Sequence, residues 1–299
     1  MMSFDEFTES VARRIRDYLP AEYADSEVSL PRIRKINRNY TGLIVRGDGQ
    51  QVTPAIRLEL FYQDYLNGSS PEEILQEIAD IIRRTSLPIG YHDLCSRLFS
   101  YESISSRLFL RVCGKQNNRE LLERAPYHTV LDLALTCHAY LGETEDSRAC
   151  VLVTHDMLQQ WHISKAQLFR QAFRSSMELM PAEIRPMREI LRENCGFPDC
   201  APPEEIPMFV ITRRLWGSAA ALFYPGVFEE LSSLADGDYY ILPSSVNECI
   251  MVPKSVGSDP FCLRHMVREI NRSIVQDCEI LSDNIYYYSS KKKRLMIAD

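Results

Sequence analysis

The chain has 299 residues, 45% hydrophobic and 25% charged, which is globular composition with length for roughly two domains and a core that needs no staples. A net charge of −7 argues against a general phosphate-backbone binder, and 10% aromatic residues argue against disorder. The N-terminal MMSFDEFTESVARRIRDYLP has no apolar signal core, and no run approaches the roughly 18 apolar residues of a membrane span, so a cytoplasmic protein without a membrane partner is expected.

Ser3 and Glu6 form a capping box, and Phe4, Phe7, Val11, Ile15 and Tyr18 recur at helical spacing until Pro20. Val28–Ile36 and Tyr40–Val45 read as extended. Gly47-Asp48-Gly49 then turns the chain into a strand over Val52–Leu60, which predicts a hairpin. Ser70, Pro71 and Glu73 start a second capped helix whose apolar face is Ile74, Leu75, Ile78, Ile81 and Ile82; Leu87-Pro88-Ile89-Gly90 ends it. A strand at Ser106–Val112 and a short helix at Asn118–Arg124 follow. Tyr127–Tyr140 and Ala149–Thr154 read as paired strands around the polar loop GETEDS. Thr154 caps a short helix, Ser164 and Gln167 box a longer one, and another runs from about Pro186 to Cys195 with Gly196 behind it.

After the acidic, Pro-rich PDCAPPEEI (198–206), strands are expected at Met208–Thr212 and Ser218–Phe223, and Pro225 opens a helix carrying Val227, Phe228, Leu231 and Leu234. DYYILPSSVNECIMVP reads as strand, turn, strand. Asp259-Pro260 starts a helix with Leu263, Met266, Val267, Ile270 and Ile274, and NIYYYSSKKKRLMIA closes as a hairpin. The fold class expected is α+β, a mostly antiparallel sheet whose hairpins alternate with single amphipathic helices. The expected organisation is an N-terminal lobe over 1–88, a connecting segment over 89–125 and a C-terminal lobe over 126–299.

Chemistry is sparse. The chain lacks the dinucleotide, P-loop, zinc-protease and α/β-hydrolase signatures. Its nine Cys are odd in number and include no C-x-x-C, so they read as small buried hydrophobes. Cys195 and Cys200 have no matching His pair, and neither metal nor cofactor is expected. The six His, at 92, 128, 138, 155, 162 and 265, read as structural or surface residues. Lys291–Arg294 follows Tyr286-Tyr287-Tyr288, a basic run beside aromatics, but a solvated hairpin tip explains it in an acidic chain; a nucleic-acid partner is not expected.

The polar exception is the 239–253 hairpin. With Pro243 opening a type I turn, Val246, Glu248, Ile250 and Val252 share one strand face, so Glu248 interrupts an apolar pattern. A lone buried carboxylate costs several kcal/mol, so it must reach water or pair. Ser244, Ser245, Asn247 and Glu248 are therefore the candidate binding residues, lining either a polar pocket at the sheet rim or a wet strand end. No catalytic residue is assigned.

LFYPGVFEELSS with DYYILPSSVNECIMVP resembles a bacterial family known as a domain of unknown function, number 5688. SFDEFTESVARRIRDYLP, RLELFYQDYLNGSSPEEILQEIADII, HTVLDLALTCHAYL, VLVTHDMLQQWHIS and ILSDNIYYYSSKKKRLMI extend the resemblance over nearly the whole chain. It implies a bacterial, cytoplasmic protein and brings no activity, cofactor or catalytic residue. It also implies a His where this chain has Asn247, and an amide hydrogen-bonds but does not titrate near neutrality. The function expected is a non-enzymatic binding or interaction protein with an unidentified partner, for which a protein is one candidate. The alternatives are a hydrolase-type enzyme at the 243–248 hairpin and a nucleic-acid accessory protein.

Overall fold

The computed structural model describes residues 1–47, 53, 55–84, 96–143, 148–195, 207–213, 217–257 and 259–298. The chain divides into two compact units, Met1–Phe99 and Ser100–Asp299.

In the first unit, helix α1 (Phe4–Arg14) starts at the expected box: Glu6 N–H donates to Ser3 Oγ at 3.4 Å and Ser3 N–H to Glu6 Oε2 at 2.8 Å. These bonds satisfy orphan donors of the first turn. Strands β1 (Glu27–Ser29) and β2 (Arg32–Lys35) both pair antiparallel with β3 (Arg38–Arg46). The strand expected over 52–60 reduces to β4, Ile56–Arg57, beside β3. Leu58 instead opens helix α2 (Leu58–Leu66). The run LELFYQDYL reads both ways, but helical spacing brings Leu58, Phe61, Tyr62 and Tyr65 to one core, whereas a strand would divide them between two faces. Asp48 and Gly49 of the expected turn lie outside the described residues. Helix α3 (Pro71–Arg84) has its box at Ser70 and Glu73 and buries Ile74, Leu75 and Ile78. The three helices share a core with Leu43 and Val45 of β3.

The second unit holds two antiparallel sheets. In the first, β7 (Leu133–Glu143) is central; β5 (Leu108–Gly114) flanks it, and β6 (Tyr127–Val130) and β8 (Arg148–Leu152) pair with successive stretches of it. Residues 127–140, expected as one strand, are thus a hairpin turning at Leu131-Asp132. The turn was hidden because Leu131, neither Gly nor Asn, takes φ 54°. Helix α4 (His155–Gln160) is capped by Thr154, and α5 (Lys165–Leu179) begins at the Ser164–Gln167 box. Helix α5 covers the outer edge of β5: Ser175 Oγ donates to Leu108 O at 2.6 Å, and Leu110 N–H donates to Ser176 Oγ at 2.9 Å. Those bonds occupy groups that an edge strand leaves open.

The second sheet is six-stranded, in the order β14-β13-β11-β12-β10-β9. Its strands are β9 (Ala182–Pro186), β10 (Phe209–Arg213), β11 (Tyr239–Leu242), β12 (Cys249–Pro253), β13 (Tyr286–Ser289) and β14 (Arg294–Ile297). Strand β9 was not expected, and helix α6 (Met187–Cys195) follows it. Residues 218–223, expected as a strand, contain a buried 3-10 helix, Ala219–Phe223; small alanines permit close packing without the branched side chains a strand favours. Helix α7 (Val227–Leu234) precedes β11. Helix α8 (Pro260–Ser273), capped by Asp259, packs Leu263 and Val267 against Tyr240, Leu242, Val252, Ile285 and Ala298. Burial of each such aliphatic side chain contributes about 1.5–3 kcal/mol. Toward α7, Tyr239, Tyr288 and Phe228 stack with centroids 5.1 and 5.0 Å apart. The architecture is α+β.

Candidate functional site

The four candidate residues lie together in the connection Pro243–Glu248 between β11 and β12. Pairing of these strands ends at Leu242↔Ile250. The connection is therefore longer than the tight turn expected, and Glu248 precedes the strand rather than sharing a strand face with Val246 and Ile250. The expected interruption of an apolar face does not arise, because the chain leaves the sheet before it reaches the carboxylate.

The loop is knitted internally. Ser245 N–H donates to Glu248 O at 3.1 Å, Asn247 N–H to Ser245 Oγ at 3.0 Å, and Ser244 Oγ to Glu248 Oε1 at 3.4 Å. It is also tied outward. Thr212 Oγ1 donates to Asn247 O at 2.8 Å and Ala219 N–H to Val246 O at 3.0 Å. Val246 N–H donates to Glu279 O at 2.8 Å, and Asn247 Nδ2 to Glu279 Oε1 at 3.2 Å. No histidine is among the loop's hydrogen-bonding partners in the described residues. The half-buried polar groups thus join β10, the 3-10 helix and the segment after α8.

A few residues beyond Glu279, the same segment meets a second carboxylate. Asp132, in the β6–β7 turn, accepts from Ser282 Oγ at 2.6 Å, Asn284 Nδ2 at 3.1 Å and Tyr286 OH at 2.9 Å. Burial, and then the adjacent Asp132 charge, push the Tyr286 phenol far above the usual tyrosine range, so it stays a donor. Asn271 of α8 braces the segment by donating to Ser282 O and Asp283 Oδ1. Strand β5 ends beside it at Gly114, where a Cβ would lie 2.7 Å from Leu281 O, so a side chain could enter only by displacing backbone.

Past Gly114 the chain turns. Asn118 Nδ2 donates to Gly114 O at 2.8 Å, and Lys115 N–H to Asp132 O at 2.9 Å. A helical turn, Arg119–Leu122, follows. These elements enclose a cavity of about 490 Å³, open to solvent and lined by Lys115, Gln116, Arg119, Leu122, Glu123, Tyr127 and Asp132. That volume lies within the ~300–1,000 Å³ common for small-molecule sites. The sequence signal overlooked was Asp132 itself, a carboxylate inside the apolar run TVLDLAL. Nothing in GKQNNRE marked Lys115 and Arg119 as more than turn residues.

The remaining candidates scatter. His128, His155, His162 and His265 are exposed. His138 is buried, 3.1 Å from Thr136 Oγ1 and packed on Phe109. His92 lies outside the described residues. Cys113, Cys137 and Cys249 are buried, as expected, and burial pushes the Cys113 thiol up to about 12. Cys150 and Cys262 are exposed, against expectation. Cys95, Cys200 and the side chain of Cys195 lie outside the described residues. Among the described residues no group of three metal-ligating side chains converges, and no helix is long and apolar enough to cross a membrane. The basic hairpin tip is exposed, but Tyr286 and Tyr288 beside it are 1% and 4% exposed, so they offer bases no stacking surface.

An α+β protein with a braced cavity of mixed polar and apolar lining is what fold and geometry define. By sequence the chain belongs to the family of unknown function DUF5688, which it matches over residues 4–290. No curated protein and no solved structure matches it.

Proposed function

We propose that the chain is a non-enzymatic bacterial cytoplasmic binding protein whose ligand occupies the cavity beside the β6–β7 turn. The observation that carries this reading is convergence: charged, aromatic and apolar side chains from the turn after β5, the helical turn that follows it and the β6–β7 hairpin line one cavity. Such a mixture orients a small molecule by its polar groups and holds it by its apolar body. In this reading Ser244, Ser245, Asn247 and Glu248 brace the site through Glu279 and the segment that reaches Asp132. The unpaired Cys150 and Cys262 suit a reducing compartment. The family resemblance supports the bacterial part of this reading.

The hydrolase alternative has one observation in its favour, the 3.4 Å contact between Ser244 Oγ and Glu248 Oε1. An activated serine also needs an effective general base, itself oriented by a third group. The test is to isolate the protein from its native cells and identify retained small molecules by mass spectrometry, with Gln116→Trp as a variant that blocks the exposed mouth. A molecule retained by wild type and lost from Gln116→Trp is expected. Turnover of an ester or phosphoester that Ser244→Ala abolishes would replace this reading with the hydrolase one.

A further inference from the structure

Resting on that cavity reading, we propose the chemical class of the ligand: a small anion, with a carboxylate or phosphate group on a compact apolar or aromatic body. The argument starts from the cavity's charges. Lys115 and Arg119 both line it, and neither joins an ion pair among the described residues. Lys165, outside the lining, holds its ammonium 5.5 Å from the centroid of the Tyr127 ring. The two carboxylates of the lining differ in availability. Asp132 is committed to Ser282, Asn284 and Tyr286, so most of its acceptor capacity is used inside the protein. Glu123 is exposed and stands in no ion pair among the described residues.

The cations are placed by architecture. The Lys115 backbone is hydrogen-bonded to the Asp132 carbonyl, and Arg119 starts a helical turn anchored by the buried Asn118. A guanidinium presents a planar fork that meets carboxylate or phosphate with two parallel bonds, and an ammonium adds a point charge without fixed geometry. Leu122 and the Tyr127 ring supply the apolar wall. The lining therefore combines two cationic donors, outside any ion pair among the described residues, with the apolar surface of Leu122 and Tyr127, beside one carboxylate held by internal donors and one that is exposed. The donors and apolar surface together complement an amphipathic anion.

The test titrates the full-length protein with four probes that share a benzene ring: phenyl phosphate, benzoate, benzyl alcohol and benzylamine, followed by calorimetry. Binding of phenyl phosphate or benzoate, and none of benzylamine, is expected; the tighter of the two anions identifies the preferred group. Lys115→Glu with Arg119→Glu should weaken anion binding at least about tenfold, and Glu123→Gln should strengthen it about two- to fivefold by removing a like charge. Arg119 and Glu123 are exposed and Lys115 is half-buried, and circular dichroism checks that each variant folds. If benzylamine or benzyl alcohol binds in preference to the anions and Gln116→Trp abolishes that binding, the anion assignment falls while the cavity remains the site. If none of the four binds, or Glu123→Gln weakens anion binding, the anion assignment falls. If anions bind equally well to Gln116→Trp, the cavity reading falls with it.

Discussion

Two hairpin turns in the second unit each carry a lone carboxylate between apolar strands, and the two are used differently. Glu248 accepts from Ser244 Oγ at 3.4 Å, a neighbour in its own loop. Asp132 accepts from Ser282, Asn284 and Tyr286, the closest at 2.6 Å and all about 150 positions away in the chain. Around Glu248 the chain departs from the sheet and the surrounding polar groups stitch loops together. Around Asp132 the hairpin stays tight, a remote segment folds over it, and a cavity is left alongside. The sequence signal is the same in both; the partners that arrive through the fold decide whether a carboxylate is a strand-end ornament or a structural node.

This contrast predicts unequal costs. Asp132→Ala removes an acceptor from three donors, one of them on the buried Tyr286, and should destabilise the protein by about 3 kcal/mol in urea unfolding. Glu248→Ala should cost less than about 1 kcal/mol. Equal losses would erase the distinction between the turns. Tyr286→Phe should cost about 1–2 kcal/mol, and much of that loss should disappear in an Asp132→Ala background, because the two groups share one bond. Additive losses would mean that the pair is not coupled.

How much of this was legible depends on where the partners lie. Local signals succeeded: the Ser3–Glu6, Ser70–Glu73 and Ser164–Gln167 boxes mark helix starts because a cap is made by residues three apart. The 239–253 and 286–297 hairpins were legible from apolar runs separated by turn residues. Failures came where local preference is ambiguous or overridden. LELFYQDYL fits both periods, AEIRP has no clear alternation, and Ala219–Phe223 is shaped by its buried surroundings. The 243–248 loop drew notice because Glu248 is conspicuous among its neighbours. The cavity did not, because Lys115, Arg119 and Asp132 become neighbours only when β5 and β6–β7 pair around Gly114.

A third carboxylate extends the comparison to pH. Asp238, immediately before β11, accepts from Tyr287 OH and from Ser290 N–H and Oγ, and these bonds hold its carboxyl below the usual aspartate range. A carboxylate whose folded pKa is depressed contributes stability above its unfolded pKa of about 3.9 and loses that contribution as pH falls through the folded value. Wild type should therefore lose stability on acidification below about pH 4 more steeply than Asp238→Asn, read as the difference between their urea midpoints at successive pH values. Parallel curves would show that the Tyr287–Ser290 bonds do not discriminate between the two protonation states.

The smallest effect concerns the turn that presents Asp132. Leu131 holds φ at 54°, a left-handed conformation that costs an L residue roughly 1–2 kcal/mol, and the residue is 36% exposed, so its burial offsets only part of that strain. Asparagine tolerates this region, because its short polar side chain can bond locally. Leu131→Asn should stabilise the protein by about 0.5–1 kcal/mol. Leu131→Gly should gain less, because glycine also widens the freedom of the unfolded chain. If either substitution instead destabilised the protein by more than about 1 kcal/mol, the leucine side chain would be holding the turn by contacts that outweigh its backbone strain. The order Asn above Gly above Leu would show that the strain is tolerated to set Asp132 against Ser282, Asn284 and Tyr286, a geometry with no counterpart in the looser connection around Glu248.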